Sequence, residues 1–150
     1  MGEAALESRK PVPVPDAVSL PFWQAAQRGV LVVQQCESCG HSQYPPEGIC
    51  QACLGEVLHF RETSGRGWVY SFIVVRQALD LPFRDSVPYV VAWIKLDELP
   101  DVTIVANIEE IDPADVHAGQ PLEVFFEHRG EWSLPQFRPA VDLPPVGNST

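Results

Sequence analysis

Four cysteines are the residues best placed to do chemistry in this chain, and all four fall in one stretch, CESCGHSQYPPEGICQAC, from Cys36 to Cys53. They form two Cys-x-x-Cys pairs, Cys36/Cys39 and Cys50/Cys53, with ten residues between the pairs. Two thiolates on one tight turn reach a single ion, and two such turns together complete a tetrahedral sulfur site that Zn²⁺ accepts without strain. Gly40 follows the first pair and Gly55 nearly follows the second, where a knuckle needs backbone freedom. Pro45-Pro46 holds the arm between them extended. Two other readings use the same residues: a pair of disulfides, and a rubredoxin-like iron site. No export signal is read in the sequence, and 150 residues with 45% apolar content do not need staples, so the expectation is reduced cysteines in the cytoplasm. One structural Zn²⁺ is the expected cofactor. A closed four-sulfur site leaves no open position for water or substrate, so it speaks for architecture and not for catalysis.

Little else in the sequence is arranged for a reaction. His41, His59, His117 and His128 are scattered and form no spaced pair on a clear helix. No Gly-rich phosphate loop follows a strand; Gly65-Arg66-Gly67 precedes one, which fits a bend in the chain better than a phosphate cradle. The chain has ten basic and twenty acidic residues and a formal net charge of −10. Nucleic-acid affinity rests on clustered Lys and Arg, so this balance argues against a phosphate-backbone partner and against an anionic membrane surface. No apolar run approaches the roughly 20 residues that a spanning helix needs. The acids from Asp97 to Asp115 form a stretch without Lys or Arg and read as a solvated rim, or as a surface for a basic partner.

The elements that would position the cysteines can be read in order. Pro11, Pro13 and Pro15 mark residues 1–15 as an extended tail. A short helix follows, with Ser19 to cap it, Pro21 in its first turn and Gly29 to close it. Phe22, Trp23 and Ala26 fall on one face, which packs either on the protein's own body or on a partner. Val30–Gln35 is predicted to be a strand feeding the first knuckle, and Glu56–Phe60 a strand leaving the second. Together they make a zinc ribbon too small to stand without its metal. Trp68–Gln77, Tyr89–Leu96, Val102–Ile108 and Leu122–His128 follow as strands, with a turn or short helix from Asp112 to Gly119. On the first of these strands Trp68, Tyr70, Phe72 and Val74 are expected to share one face. Trp132–Phe137 is expected at an edge, because Pro135 cannot sit in a central strand. The fold class is therefore mainly β, in four parts: tail and helix at 1–29, a rubredoxin-like ribbon at 30–58, an OB-fold barrel at 59–139 and a flexible tail at 140–150.

Several stretches carry a family resemblance: FWQAAQRGVLVVQQCESCGHSQYPP, CQAC, GRGWVYSFIVV, PYVVAWIKLD, AGQPLEVFFE and LPQFRP, in that order over most of residues 20–139. The chain resembles the family of a zinc ribbon followed by an OB-fold, first catalogued as a domain of unknown function, DUF35, and described as acyl-CoA-associated. The resemblance implies a non-catalytic partner of thiolase-like enzymes. Those include thiolases, thiolase homologues that act as aldolases, and enoyl-CoA hydratase-like proteins. It places Cys36, Cys39, Cys50 and Cys53 at the family's metal ligands and implies no catalytic residue. With a CoA thioester in view, Arg66 suits its phosphates and Trp68 an adenine face, although Arg66 also reads as an exposed strand-end arginine. Arg76, Arg84 and Arg138 are further candidates for the phosphates. Phe22 and Trp23 are the candidate partner interface. The alternative functions are a nucleic-acid-binding ribbon and OB module, which the charge disfavours, and a rubredoxin-like electron carrier.

Overall fold

In the computed structural model, which describes residues 9–141, Asp16 and Ser19 set the entry to the helix by bonding each other. Asp16 N–H donates to Ser19 Oγ at 3.1 Å, and Ser19 N–H donates to Asp16 Oδ1 at 2.7 Å. Ser19 occupies the N-cap position, but its hydroxyl is turned back to Asp16 and makes no bond to the helix amides. Helix α1 (Leu20–Gln27) ends as Gly29 predicts. Gly29, at φ +76°, and Val30 donate to the carbonyls of Ala26 and Ala25, which is the Schellman pattern. The helix buries Phe22, Ala25 and Ala26 against the rest of the chain, so its apolar face packs on the protein's own body.

The ribbon sheet has three antiparallel strands, β1 (Val32–Cys36), β2 (Ser42–Gln43) and β3 (Leu58–Glu62), in the order β2-β1-β3. The returning strand starts two residues later than Glu56 because the second knuckle uses the residues before it. Cys50 N–H bonds Gly55 O, and Glu37 N–H bonds Val57 O. β3 then pairs with β1 from Leu58 to Glu62, across the boundary expected at residue 58.

Beyond the ribbon, five strands close into a barrel: β4 (Arg66–Val75), β5 (Tyr89–Leu96), β6 (Thr103–Ile108), β7 (Pro121–Arg129) and β8 (Trp132–Pro139), in the order β4-β5-β6-β8-β7. Short 3₁₀ turns at Leu81–Ser86 and Pro113–Asp115 fill two connections. β4 begins at Arg66 because its two flanking glycines let chains approach closely. A Cβ on Gly65 would lie 2.3 Å from Val124 Cγ1, and one on Gly67 would lie 2.3 Å from Lys95 O. The pairing of β4 with β5 shifts register between Val69 and Ser71, and this bulge overturns the expected single face. Val69 points into the barrel and Tyr70 is exposed. After the shift, Phe72 and Val74 pack on the core and Ile73 is exposed. The edge position of Trp132–Phe137 is corrected too. β8 pairs along its length with β7 and meets β6 only at Ile108↔Phe137, so no β6 partner needs the missing N–H of Pro135. Gln136 seals that seam by accepting from Asn107 N–H at 2.7 Å, while Asn107 Nδ2 donates to Val90 O at 2.9 Å.

Helix, ribbon and barrel share one core. Phe22, Ala25 and Leu31–Val33 join the barrel's Val69, Ile94, Ile104, Leu122 and Phe137 in a single cluster. The proline-rich approach is also held. Arg129 Nη1 donates to Pro11 O at 3.3 Å, Lys10 lies over the Phe83 ring, and the Val12 methyls lie 3.1 Å from where a Cβ on Gly130 would stand. The remainder of the expected tails, residues 1–8 and 142–150, lies outside the described residues. No helix among the described residues is long and apolar enough to cross a membrane. Among the described residues the fold class is mainly β: one short helix, a four-cysteine ribbon and a closed five-stranded OB-like barrel.

Candidate metal centre

Cys36 ends β1, Cys39 closes the first turn, and Cys50 and Cys53 form the second turn before β3. The two turns use the same backbone bond, from Gly40 N–H to Cys36 O and from Leu54 N–H to Cys50 O. The residue that takes positive φ after each pair is Gly40 (+75°) in the first and Leu54 (+64°) in the second. Gly55 is required for another reason. A Cβ there would lie 3.2 Å from Cys53 Sγ and 3.4 Å from Cys36 Sγ, so the glycine makes room for the sulfurs.

All four Sγ atoms lie within 4.8 Å of one another, and Cys36···Cys53 and Cys39···Cys50 are 3.6 Å apart. A tetrahedron with Zn–S bonds of 2.3 Å has edges of about 3.8 Å, so the sulfurs are positioned to bind one metal ion. All four are unpaired thiols, which sets the disulfide reading aside. Such a cluster cannot ionise fully by itself. The backbone N–H of Cys39 helps hold the Cys36 thiol down, at about 7. For Cys53 the Gly55 N–H also lowers the pKa, but the sulfurs of Cys39 and Cys36 push it up to about 12. For Cys39 the His41 amide lowers the pKa, while burial and the Cys50 and Cys36 sulfurs give a net rise. A divalent cation removes that conflict, and its binding free energy becomes folding free energy for the ribbon.

Two buried glutamines that the sequence pattern does not single out hold the arm between the knuckles. Gln34 Oε1 accepts from Glu47 N–H at 2.8 Å, and Gln34 Nε2 donates to Glu47 O at 2.9 Å. Gln43 Oε1 accepts from Gln51 N–H at 2.9 Å, and Gln43 Nε2 donates to Ile49 O at 3.0 Å and to Gln34 Oε1 at 3.0 Å. The one signal, and for Gln34 alone, is a polar residue in a strand that otherwise faces the core, VLVVQQ.

The other candidate residues are not gathered into one site. Arg66 lines a groove of about 430 Å³ with His117, Gln120, Pro121 and the 139–141 segment. Trp68 is not part of that lining; its ring lies 6.1 Å from Tyr70, towards the barrel face. Arg138 is engaged by Glu123 at 3.1 Å and Glu110 at 3.6 Å. Phe22 is 3% exposed and belongs to the core, so it cannot be an interface residue; its neighbour Trp23 is half-buried, edge-on to Phe22. His128 Nδ1 lies 2.9 Å from Ser133 Oγ, a serine–histidine contact directly across β7 and β8. Ser133 is only 3% exposed, so a substrate carbonyl has no approach to its hydroxyl.

Two family models match consecutive stretches of the chain. Residues 23–59 match the ChsH2 rubredoxin-like zinc ribbon domain and residues 60–127 the ChsH2 C-terminal OB-fold domain. A "DUF35 domain-containing scaffold protein" of Methanothermobacter thermautotrophicus is 34% identical over 101 residues, covering 67% of this chain and 74% of that protein. A "Probable enoyl-CoA hydratase alpha subunit" of Thermomonospora curvata is 36% identical over 122 residues. That match takes in 80% of this chain but 37% of the relative, so the chain spans well under half of its length. Among solved structures, a chain of the "Ltp2-ChsH2(DUF35) aldolase" superposes with a TM-score of 0.76 at 32% identity, covering 87% of this chain and all (100%) of that one. With its four-cysteine ribbon joined to a five-stranded barrel, the chain belongs to the DUF35 family of ChsH2-type zinc-ribbon and OB-fold proteins.

Proposed function

We propose that this protein is a non-catalytic, zinc-binding subunit that docks on a thiolase-like enzyme, a thiolase or an aldolase, and scaffolds it or helps present its CoA thioester. The observation that carries this reading is the match, over 87% of this chain and 100% of the other, to a chain of the Ltp2-ChsH2(DUF35) aldolase, whose name pairs a DUF35 protein with Ltp2. The relative named as a hydratase alpha subunit supports the same class of role, a subunit in acyl-CoA chemistry. The site chemistry agrees. A four-thiolate metal centre is coordinatively closed, and the serine of the serine–histidine contact, Ser133, is buried. When bound, the metal supplies folding energy, and the cysteines hold the two knuckles together. Arg66 is the candidate for a CoA phosphate, in its groove with His117 and Gln120, and Trp68 for the adenine. Trp23 remains the helix-borne candidate contact.

The test is to purify the protein at native expression level from its source and identify what accompanies it. The expected outcome is an acyl-CoA enzyme subunit at fixed stoichiometry, with acyl-CoA turnover by the complex and none by the isolated chain. Isolated chain that turns over acyl-CoA, or that elutes alone from the native extract, would defeat the proposal.

A further inference from the structure

The outward side of the barrel at β4, β5 and β6 is apolar in a chain of formal net charge −10. Four large apolar side chains stand out on it: Tyr70 at 52% exposure, Ile73 at 62%, Trp93 at 54% and Val105 at 53%. The strand register places them together, since Ser71 pairs with Trp93 and Trp93 pairs with Val105. The outward positions of β5 and β6 carry one charged residue, Lys95, and no carboxylate, in a chain with twenty acidic residues. Depletion of charge together with exposed aromatic residues is the composition of an interface centre rather than of solvated surface. An open groove of about 630 Å³ runs from Trp93 and Tyr70 to Tyr44 and Pro45, so the ribbon arm and the barrel wall it jointly.

We infer that this face, centred on Trp93, is where the partner enzyme docks, through an apolar patch with a carboxylate set against Lys95. The inference rests on the subunit role proposed above and adds its contact surface. Charge decides between the possible occupants. A second copy would bring another formal charge of −10, and its own face offers no carboxylate to Lys95. A nucleic acid would find a single cation. A protein surface with an apolar centre and an acidic residue satisfies both the ring cluster and the ammonium. Lys95 is prepared for this, held 2.6 Å from Thr103 Oγ1 and 5.2 Å from the Tyr70 ring centre.

The experiment uses the complex recovered with the wild-type chain. Hydroxyl-radical labelling of Tyr70 and Trp93 should fall on complex formation. Trp93→Glu should weaken assembly about 30-fold or more, as loss of an interface hot spot does, with the variant's own melting temperature nearly unchanged. Lys95→Glu should weaken it about tenfold by opposing a carboxylate. If the wild-type chain assembles while labelling and affinity are unaffected, the inference fails and the subunit role stands. Unchanged affinity for Lys95→Glu alone overturns the carboxylate partner. A concentration-dependent dimer of the isolated chain, lost in Trp93→Glu, overturns the choice of occupant. A wild-type chain that assembles with no acyl-CoA enzyme overturns both readings.

Discussion

Leu54 and Gly55 divide between them a task that the sequence pattern gives to a single glycine. Leu54 takes the left-handed conformation and is 70% exposed, whereas Gly55 supplies only space beside the sulfurs. Gly55→Ala should therefore weaken metal retention by about 1–3 kcal/mol, the range for overpacking, because sulfurs fixed on a metal cannot give way. Leu54→Val should cost about 1–2 kcal/mol, since a β-branched residue tolerates positive φ poorly; competition with a chelator would measure both. Glu109 carries a different signature. Burial, and then the Glu127 carboxylate, hold its pKa above its ordinary value of 4.5. The folded state thus binds a proton more readily than the unfolded chain, and this contribution is lost as pH rises through the raised pKa. Glu109→Gln should raise the melting temperature at neutral pH, and the advantage should shrink as pH falls towards 4.5. An advantage that grows on acidification would contradict the assignment.

Helix α1 tests how far local rules reach. Nothing lies within 4 Å of where a Cβ on Gly29 would stand, so Gly29→Ala should cost about 1 kcal/mol from backbone conformation alone. Phe22→Ala should cost about 3–5 kcal/mol in urea unfolding, because it empties a site shared with the barrel core. The helix ends, the knuckles and β5 are legible in the sequence because each depends on neighbours in the chain: a glycine at a turn, a Cys-x-x-Cys spacing, an unbroken YVVAWIKL. Three features are not, because each depends on a partner strand. The shift between Val69 and Ser71 is set against β5 and turns an expected single face into two. The place of Pro135 inside the barrel depends on β8 meeting β6 only at Phe137. Phe22 reads as partner surface because nothing in FWQAA says that the chain's own β-strands cover it. The metal ligands are readable because spacing encodes them; the glutamine pair behind them is not, since Gln34 meets Glu47 only after the arm folds back.

For the molecule as a whole, the shared core limits what loss of metal can do. Leu31, Val32 and Val33 are buried with the barrel residues, so the start of β1 is anchored independently of the sulfurs. Chelation, or Cys50→Ala, should release the knuckles and the arm while β1 and the barrel keep their packing. The segment between the first and last knuckle residues contains no Lys or Arg, and a glutamate-specific protease reports on it at Glu37 and Glu47. Cleavage there should be slow with metal and rapid without it, leaving a barrel fragment that still unfolds cooperatively. Simultaneous loss of the barrel would mean that the ribbon's metal stabilises the entire core.

The glutamine pair gives the arm between the knuckles an unusual status. Residues 46–49 belong to no strand, yet the amides of Glu47 and Gln51 donate to side chains that are 3% exposed, Gln34 and Gln43. In heavy water these two amides should keep their protons far longer than a loop ordinarily allows, on the timescale of the strands beside them. An irregular segment would then register as one of the slowest parts of the ribbon, and its deuterium uptake would serve as a gauge of whether the metal is in place.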